Sequence, residues 1–231
     1  MFLPHPIIWH SGSFRLTSHG LFFALGAEAA GLVLQLQARR CGLNSRLVWP
    51  LLLITFASGL AGARLLFLIL YPDQAGGWSQ LLNIWNGGLV SYGGLLAGGY
   101  AAYRYIRRFA PEQAALWQQA AVLATLLAWG IGRIGNFLAG DSAGLVSTVW
   151  QLTYGRVPIQ LFESLLCFLL VLLLWRSKSN IVLLAAAGYF FGRFVIDVWR
   201  DETVLIILHA SQWASLLALV CICFIYARSR P

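Results

Sequence analysis

The sequence is poor in charged residues, which make up only 10% of its 231 positions. A soluble domain of this length carries about a quarter charged residues, so the deficit excludes an ordinary soluble fold. Hydrophobic residues make up 59% of the chain, and the mean hydropathy is +0.74. Together these values predict an integral membrane protein.

Acidic residues are also few, with eight Asp and Glu against 16 Lys and Arg, which gives a net charge of +8. The basic residues cluster between apolar runs, so membrane topology explains them and no nucleic-acid partner is predicted. The cysteines follow no metal-ligand spacing, so neither a disulfide nor a metal is implied. The N-terminus lacks a basic region before an apolar one, and we expect no cleavable signal peptide.

Seven apolar runs follow one another along the chain, and each reaches or approaches the roughly 20 residues that cross a bilayer. They cover about residues 18–37, 48–71, 88–103, 114–131, 160–175, 181–199 and 208–227. We therefore expect an all-α membrane protein, a polytopic bundle of about seven transmembrane helices that forms a single integral membrane domain over residues 1–231. Residues 1–17 are expected to form an amphipathic segment on the interface, with Trp9 as an anchor.

Basic residues are distributed unevenly over the segments between these runs. The segments after runs one, three, five and seven hold ten of them, whereas the N-terminus and the segments after runs two, four and six hold four. Because cytoplasmic loops carry the excess of Lys and Arg, we expect the N-terminus outside and the C-terminus in the cytoplasm. The segment after run four would then face the outside.

That segment holds the most distinctive stretch of the chain, residues 132–144, in which Arg133, Asn136 and Asp141 stand among four glycines. Charged and amide groups at a membrane boundary are costly unless they pair or face water. Glycine lets the backbone bend and approach a ligand closely. The stretch therefore predicts irregular backbone that forms the floor of a polar pocket. The alternative is a plain interfacial loop with an Arg133–Asp141 pair.

Two arginines are expected at the same outer level, because Arg193 lies toward the end of run six, which also travels outward. Arg133 and Arg193 could together hold an anion, since guanidinium groups fit phosphate and stay charged in low dielectric. The natural anion at that depth is a phospholipid headgroup. The alternative is internal pairing, with Arg193 bound to Asp197 and Arg64 bound to Glu28 or Glu163.

The stretch also resembles the signature of bacterial prolipoprotein diacylglyceryl transferases. Six consecutive residues, 132–137, match that family, as do Gly140 and Gly144, whereas Asp141 replaces a Glu. Further similar motifs follow in the family's order: His19-Gly20-Leu21, Gly62-Ala63-Arg64, Trp85-Asn86-Gly87-Gly88, Tyr92-Gly93-Gly94-Leu95, Pro158 to Glu163, Gly192-Arg193-Phe194 with Asp197 and Arg200, and Ser211-Gln212-Trp213. The resemblance thus extends over nearly the whole chain.

This resemblance implies a transferase of the bacterial plasma membrane. The family moves a diacylglyceryl group from phosphatidylglycerol to the lipobox cysteine thiol in the signal peptide of a prolipoprotein, and glycerol phosphate leaves. By position, Arg133 and Arg193 would hold the phosphate, and Asn136 and Asp141 would shape the pocket. The matching residues Gly144 and Arg200 would belong to the same substrate-binding site, and neither a metal nor an organic cofactor is needed.

Two departures from the family concern activation of the thiol. The family has His where this chain has Tyr92, and Tyr where this chain has His19. A base helps to ionise a thiol, and a tyrosine phenol is a poor base at neutral pH. His19 is therefore one candidate for the base, and the alternative is an interfacial polar residue.

Three hypotheses for the function follow from these matches and departures. The first is transfer to prolipoproteins. The second is a diverged paralogue that uses the same phospholipid with another acceptor, and the third is a membrane protein that binds lipid without catalysis. All three require Arg133, Asn136 and Arg193, so residues 19 and 92 have to separate them.

Overall fold

The computed structural model describes residues 5–11, 14–75, 77, 81, 88–141, 144–150, 155–177 and 180–228. In these ranges the helices are α1 (Ser18–Arg40), α2 (Val48–Leu70), α3 (Pro72–Ala75), α4 (Ser91–Phe109), α5 (Ala114–Ala139), α6 (Ile159–Leu174), α7 (Ile181–Ile196) and α8 (Ala210–Arg228). The strands are β1 (Ile7–Ser11), β2 (Phe14–Thr17), β3 (Val204–Leu205) and β4 (Leu208–His209), which pair as two antiparallel hairpins.

Five of the described helical segments are long and apolar enough to cross a membrane. They are Ser18–Arg40, Ser45–Leu70, Pro111–Ala139, Ile181–Trp199 and Ala210–Arg228. The other two predicted runs form α6, which is apolar but has only 16 residues, and α4, whose 19 residues include three arginines. The predicted all-α, multi-pass membrane fold is confirmed.

The signature residues differ from the prediction of irregular backbone. Helix α5 continues through Gly132 and Gly135 and ends only at Ala139. The reason lies in packing, because Gly135 faces α1 and a Cβ there would lie 2.6 Å from the Cβ of Phe22. This glycine therefore serves close helix contact, and the backbone turns only at Gly140, whose φ is +80°.

Contacts between residues divide the chain into two units, Met1–Val33 with Gln119–Pro231, and Leu34–Gln118. The single domain expected from the sequence stays a prediction. In the second unit, α2 packs closely on α4 through facing glycines. A Cβ on Gly62 would lie 2.5 Å from the carbonyl oxygen of Gly93, so the two backbones are in contact.

The first unit is held together by small residues and by buried hydrogen bonds between helices. Its apolar centre contains Leu126, Cys167 and Ala185, from α5, α6 and α7. Ser164 donates to the carbonyl of Gly130 at 2.8 Å, which ties α6 to α5. These contacts bring the ends of α5, α6 and α7 together, where the polar residues lie.

The N-terminal segment expected to lie on the interface forms the β1–β2 hairpin. Ile7, Ile8 and Trp9 are all exposed, at 42%, 46% and 54%. The hairpin joins α5 through the His5 amide, which donates to the carbonyl of Leu138 at 2.7 Å. The interfacial position of this segment stays a prediction.

Candidate active site

The site is organised around Glu163, which lies in α6 and has no exposed surface. Arg133 from α5 contacts its Oε2 through Nε. Arg193 from α7 donates from Nη1 to Oε1 at 2.8 Å, and Arg200 donates from Nη2 to the same oxygen at 3.0 Å. Three cations from different segments therefore meet on one carboxylate.

Asp197 supplies a second buried carboxylate beside the first. Its Oδ2 lies 3.4 Å from Nε of Arg193, and its Oδ1 accepts from Nε of Arg200 at 2.8 Å. Arg200 also pairs at 3.0 Å with Glu202, whose side chain is 38% exposed. Burial is the largest influence on the pKa of Arg200 and would lower it, but the charge and hydrogen bond of Asp197 together with the charge of Glu163 raise that pKa overall. Arg200 therefore stays charged.

The buried part of the cluster includes an open donor. Nη2 of Arg133 is buried and has no hydrogen-bond partner in the part of the chain that the structure describes. Leaving such a donor unmatched costs free energy, and a charged donor costs more than a neutral one. The arrangement therefore suits an incoming anion with oxygen acceptors.

Asn136 follows Arg133 on α5 and extends the cluster away from Glu163. Its Oδ1 accepts from Nη1 of Arg133 at 2.7 Å, and its Nδ2 donates to the carbonyl of Gly132 at 3.1 Å. The same Nδ2 lies 3.0 Å from Nδ1 of His19. Because a guanidinium group can only donate, Arg133 decides which end of the amide faces it.

His19, the second residue of α1, continues this chain of contacts. Its Nε2 contacts Oδ2 of Asp141, and the two side chains are 46% and 54% exposed. The backbone carbonyl of Asp141 in turn accepts from Nε2 of Gln160 on α6. A continuous polar network therefore runs from the exposed Asp141 to the buried Glu163.

Gly144 contributes to the site through its backbone, which lies beside Arg200. The two residues form an antiparallel bridge, and the Gly144 amide donates to the carbonyl of Val157 at 3.2 Å. A Cβ at this position would lie 2.6 Å from that carbonyl and 2.7 Å from the carbonyl of Trp199. Only glycine fits between these two carbonyl groups, and the bridge holds Arg200 against the cluster.

The structure brings together most of the residues singled out in the sequence. Arg133 and Arg193 meet at one level, as predicted, and the Arg193–Asp197 pair of the alternative also forms. An Arg133–Asp141 pair was the other alternative, and it is wrong, because Arg133 contacts Glu163. Since α5 continues to Ala139, residue 141 lies beyond the end of the helix that carries Arg133.

Tyr92 and Arg64 belong to the second unit. Tyr92 is the second residue of α4, and its side chain is 73% exposed. Arg64 is buried, donates to the carbonyl of Gly88 at 3.1 Å and lies 5.5 Å above the ring of Phe67. The motif residues at positions 85–87 lie outside the described residues.

Sequence reasoning did not assign Glu163 to the site, although the carboxylate is its centre. The signal was present, because Glu163 is the one acidic residue of the fifth apolar run, and an intramembrane carboxylate is by default a functional candidate. Tyr189 was also missed. Its hydroxyl accepts from Arg193 at 3.3 Å, and nothing in the sequence distinguishes it from the neighbouring apolar residues.

The fold and the site define a multi-pass membrane protein with a buried cluster of arginines and carboxylates at the ends of its helices. The model of the family described as prolipoprotein diacylglyceryl transferase matches residues 6–228, and the chain belongs to that family. It is 27% identical to the phosphatidylglycerol–prolipoprotein diacylglyceryl transferases of Streptococcus pyogenes serotype M5 (strain Manfredo), serotype M49 (strain NZ131) and serotype M1. Each alignment covers 98% of the chain and 96% of the relative, so the resemblance seen in the sequence is confirmed.

Proposed function

We propose that this protein transfers a diacylglyceryl group from phosphatidylglycerol to the lipobox cysteine thiol of prolipoproteins, the first step of bacterial lipoprotein maturation. Membership of the family supports the reaction. The observation that carries the proposal is the convergence of Arg133, Arg193 and Arg200 on Glu163, where the buried Nη2 of Arg133 has no partner among the described residues. This arrangement is suited to a phosphate group at the membrane boundary.

In the proposed reaction the thiol sulfur bonds to the glyceryl carbon that carries the phosphate. The carbon–oxygen bond to the phosphate breaks, glycerol phosphate leaves with the bonding electron pair, and the thiol proton passes to solvent. Arg133 and Arg193 hold the phosphate and stabilise the negative charge that develops on it. Fixed cations in a site of low dielectric act strongly on such charge, because they need not reorient during the reaction.

The neighbouring residues would shape the substrate-binding site. Asn136 and Asp141 line the side toward His19, and Arg200 with the Gly144 bridge supports the opposite side. His19 and Tyr92 are proposed to influence the acceptor side of the reaction, since they occupy the two positions at which the chain departs from its family. No cofactor enters the proposed reaction.

The same proposal places the protein in the bacterial plasma membrane with its N-terminus outside and its C-terminus in the cytoplasm. Ten basic residues on one set of connecting segments against four on the other support this orientation. The cluster would then lie at the outer boundary, where secreted prolipoproteins arrive and where phospholipid headgroups are accessible. The acyl chains of the donor would remain in the bilayer beside the helices.

The proposal is tested by expressing the protein in a bacterium depleted of its own transferase. A model prolipoprotein should gain the mass of one diacylglyceryl group, and growth should recover. The variant Arg133→Ala serves as the inactive control, and its level in the membrane is checked by immunoblot. An unmodified prolipoprotein, with phosphatidylglycerol still bound by the purified protein, would contradict the proposal and favour a paralogue or a lipid-binding protein.

A further inference from the structure

We propose that His19 is a positioning residue that holds Asn136 and, through it, Arg133, and that it does not take the proton of the acceptor thiol. The inference rests on the proposed function and assigns one of its open roles. It comes from the contacts at the two ring nitrogens, because Nε2 contacts Asp141 and Nδ1 lies 3.0 Å from Asn136. Both nitrogens are therefore occupied within the protein.

The contacts fix which ring nitrogen carries the proton. Arg133 can only donate, so the amide of Asn136 turns its oxygen to Nη1 of Arg133 and its nitrogen to His19. The amide nitrogen is itself a donor, and Nδ1 of His19 must therefore accept. The proton of the neutral imidazole then lies on Nε2, where the carboxylate of Asp141 accepts it.

This tautomer leaves the ring without a free lone pair. A general base needs an accessible lone pair within hydrogen-bond reach of the proton that it takes. The lone pair of His19 already accepts from Asn136, and a proton there would set a ring N–H against the amide N–H₂. The amide would then have to turn, which would place its donors against the guanidinium of Arg133.

The network determines the orientation of the Arg133 guanidinium group. The guanidinium contacts Glu163 through Nε and Asn136 through Nη1, so its plane is fixed by two partners on different sides. The amide of Asn136 is in turn held by the carbonyl of Gly132 and by His19. The open donor Nη2 of Arg133 keeps its direction only while both partners stay in place.

Substitutions at position 19 separate positioning from base catalysis. In His19→Asn the side-chain oxygen lies near the former Nδ1 and accepts from Asn136, but the amide cannot act as a base. His19→Phe has neither function. We expect the purified His19→Phe variant to lose about 10- to 100-fold in kcat/KM for phosphatidylglycerol, which corresponds to one hydrogen bond to a charged network. His19→Asn should recover most of this loss and raise KM less than His19→Phe does. Equal inactivity of the two variants, with unchanged thermal unfolding, would overturn the proposal.

A second measurement reads the tautomer directly and does not depend on activity. Protein labelled with ¹⁵N in histidine, with His5, His10 and His209 replaced, should show the proton of His19 on Nε2. A proton on Nδ1 would overturn the proposal even if the variants at position 19 failed to fold. If the protein shows no transfer but has the Nε2 tautomer, the proposed function fails while the positioning by His19 stands.

Discussion

Arg193 on α7 lies 2.8 Å from Glu163 on α6, and this contact joins two apolar helices at a carboxylate with no exposed surface. The pair is shared, because the same carboxylate oxygen also accepts from Arg200 at 3.0 Å. A buried charge that is paired in this way is costly to disturb. The geometry of the arginines therefore depends on Glu163 as much as on any substrate.

The first prediction concerns the proposed phosphate site. Arg133→Ala and Arg193→Ala should each abolish transfer in an assay with phosphatidylglycerol and a lipobox peptide, because each removes a cation from the developing charge. Lysine at either position should restore little transfer activity, because it lacks the planar set of N–H donors of a guanidinium group. Arg39→Ala, at an exposed position of α1, is the control and should keep wild-type activity. Turnover near wild type in Arg193→Ala would show that its pairing with Asp197 is structural only.

A second prediction concerns the carboxylate itself. Glu163→Gln keeps the shape of the side chain but leaves three arginines without their shared charge, and it should reduce the free energy of unfolding by about 3–5 kcal/mol. The loss is measured by thermal unfolding in detergent. Glu28→Gln is the matched control, because Glu28 is an exposed glutamate on α1 and its change should be nearly silent. Equal stability of both variants would exclude Glu163 as the centre of the cluster.

A third prediction compares two glycines of the signature. Gly135→Ala should destabilise the protein by about 1–3 kcal/mol, because the added Cβ meets the Cβ of Phe22 at 2.6 Å and α1 must move away from α5. The methyl group that Gly132→Ala adds would have no described atom within 4 Å, apart from its chain neighbours and the backbone of its own helix. Alanine is favoured in helices, so Gly132→Ala should be neutral or stabilising. The reverse order of stabilities would contradict the packing of α1 on α5.

The fourth prediction tests the orientation. In a protein that retains Cys41 as its only cysteine, this exposed residue after α1 should react with an impermeant maleimide only after lysis. A cysteine introduced at the exposed Thr148 in a cysteine-free protein should react in intact cells whose outer barrier is permeable. Labelling in the opposite order would invert the proposed topology. Two further reporter positions would test the same orientation, Ser142 in the segment after the fourth apolar run and Arg230 at the C-terminus, and both lie outside the described residues.

The fifth prediction concerns the acceptor thiol and position 92. If no side chain takes the thiol proton, the rate should rise with pH toward the pKa of a free thiol, about 8.5. Tyr92→His would add a base at the family's position, and it should raise the rate at neutral pH and flatten this dependence. Tyr92→Phe is the control, because it removes the phenol without adding a base, and it should keep the wild-type pH dependence. An unchanged profile in Tyr92→His would favour an acceptor other than a lipobox peptide.

The site shows which features could be predicted from the chain and which could not. The positions of Arg133, Asn136 and Arg193 follow from their place within or directly after apolar runs and from the family signature. The helical form of residues 132–139 does not follow, because glycines permit both a bend and a close helix contact. The partner of Arg133 depends on which face of α5 turns toward α6, and local spacing suggested Asp141 instead of Glu163.

The sequence by itself determined the class of protein, because the length and composition of apolar runs are governed by the bilayer and need no knowledge of packing. It also determined the family, since the signature residues are contiguous. Only the tertiary structure decided that Glu163 collects three arginines and that Asn136 separates His19 from Arg133. Those contacts join residues from five segments, and their geometry is set by how the helices pack, which no stretch of sequence specifies alone.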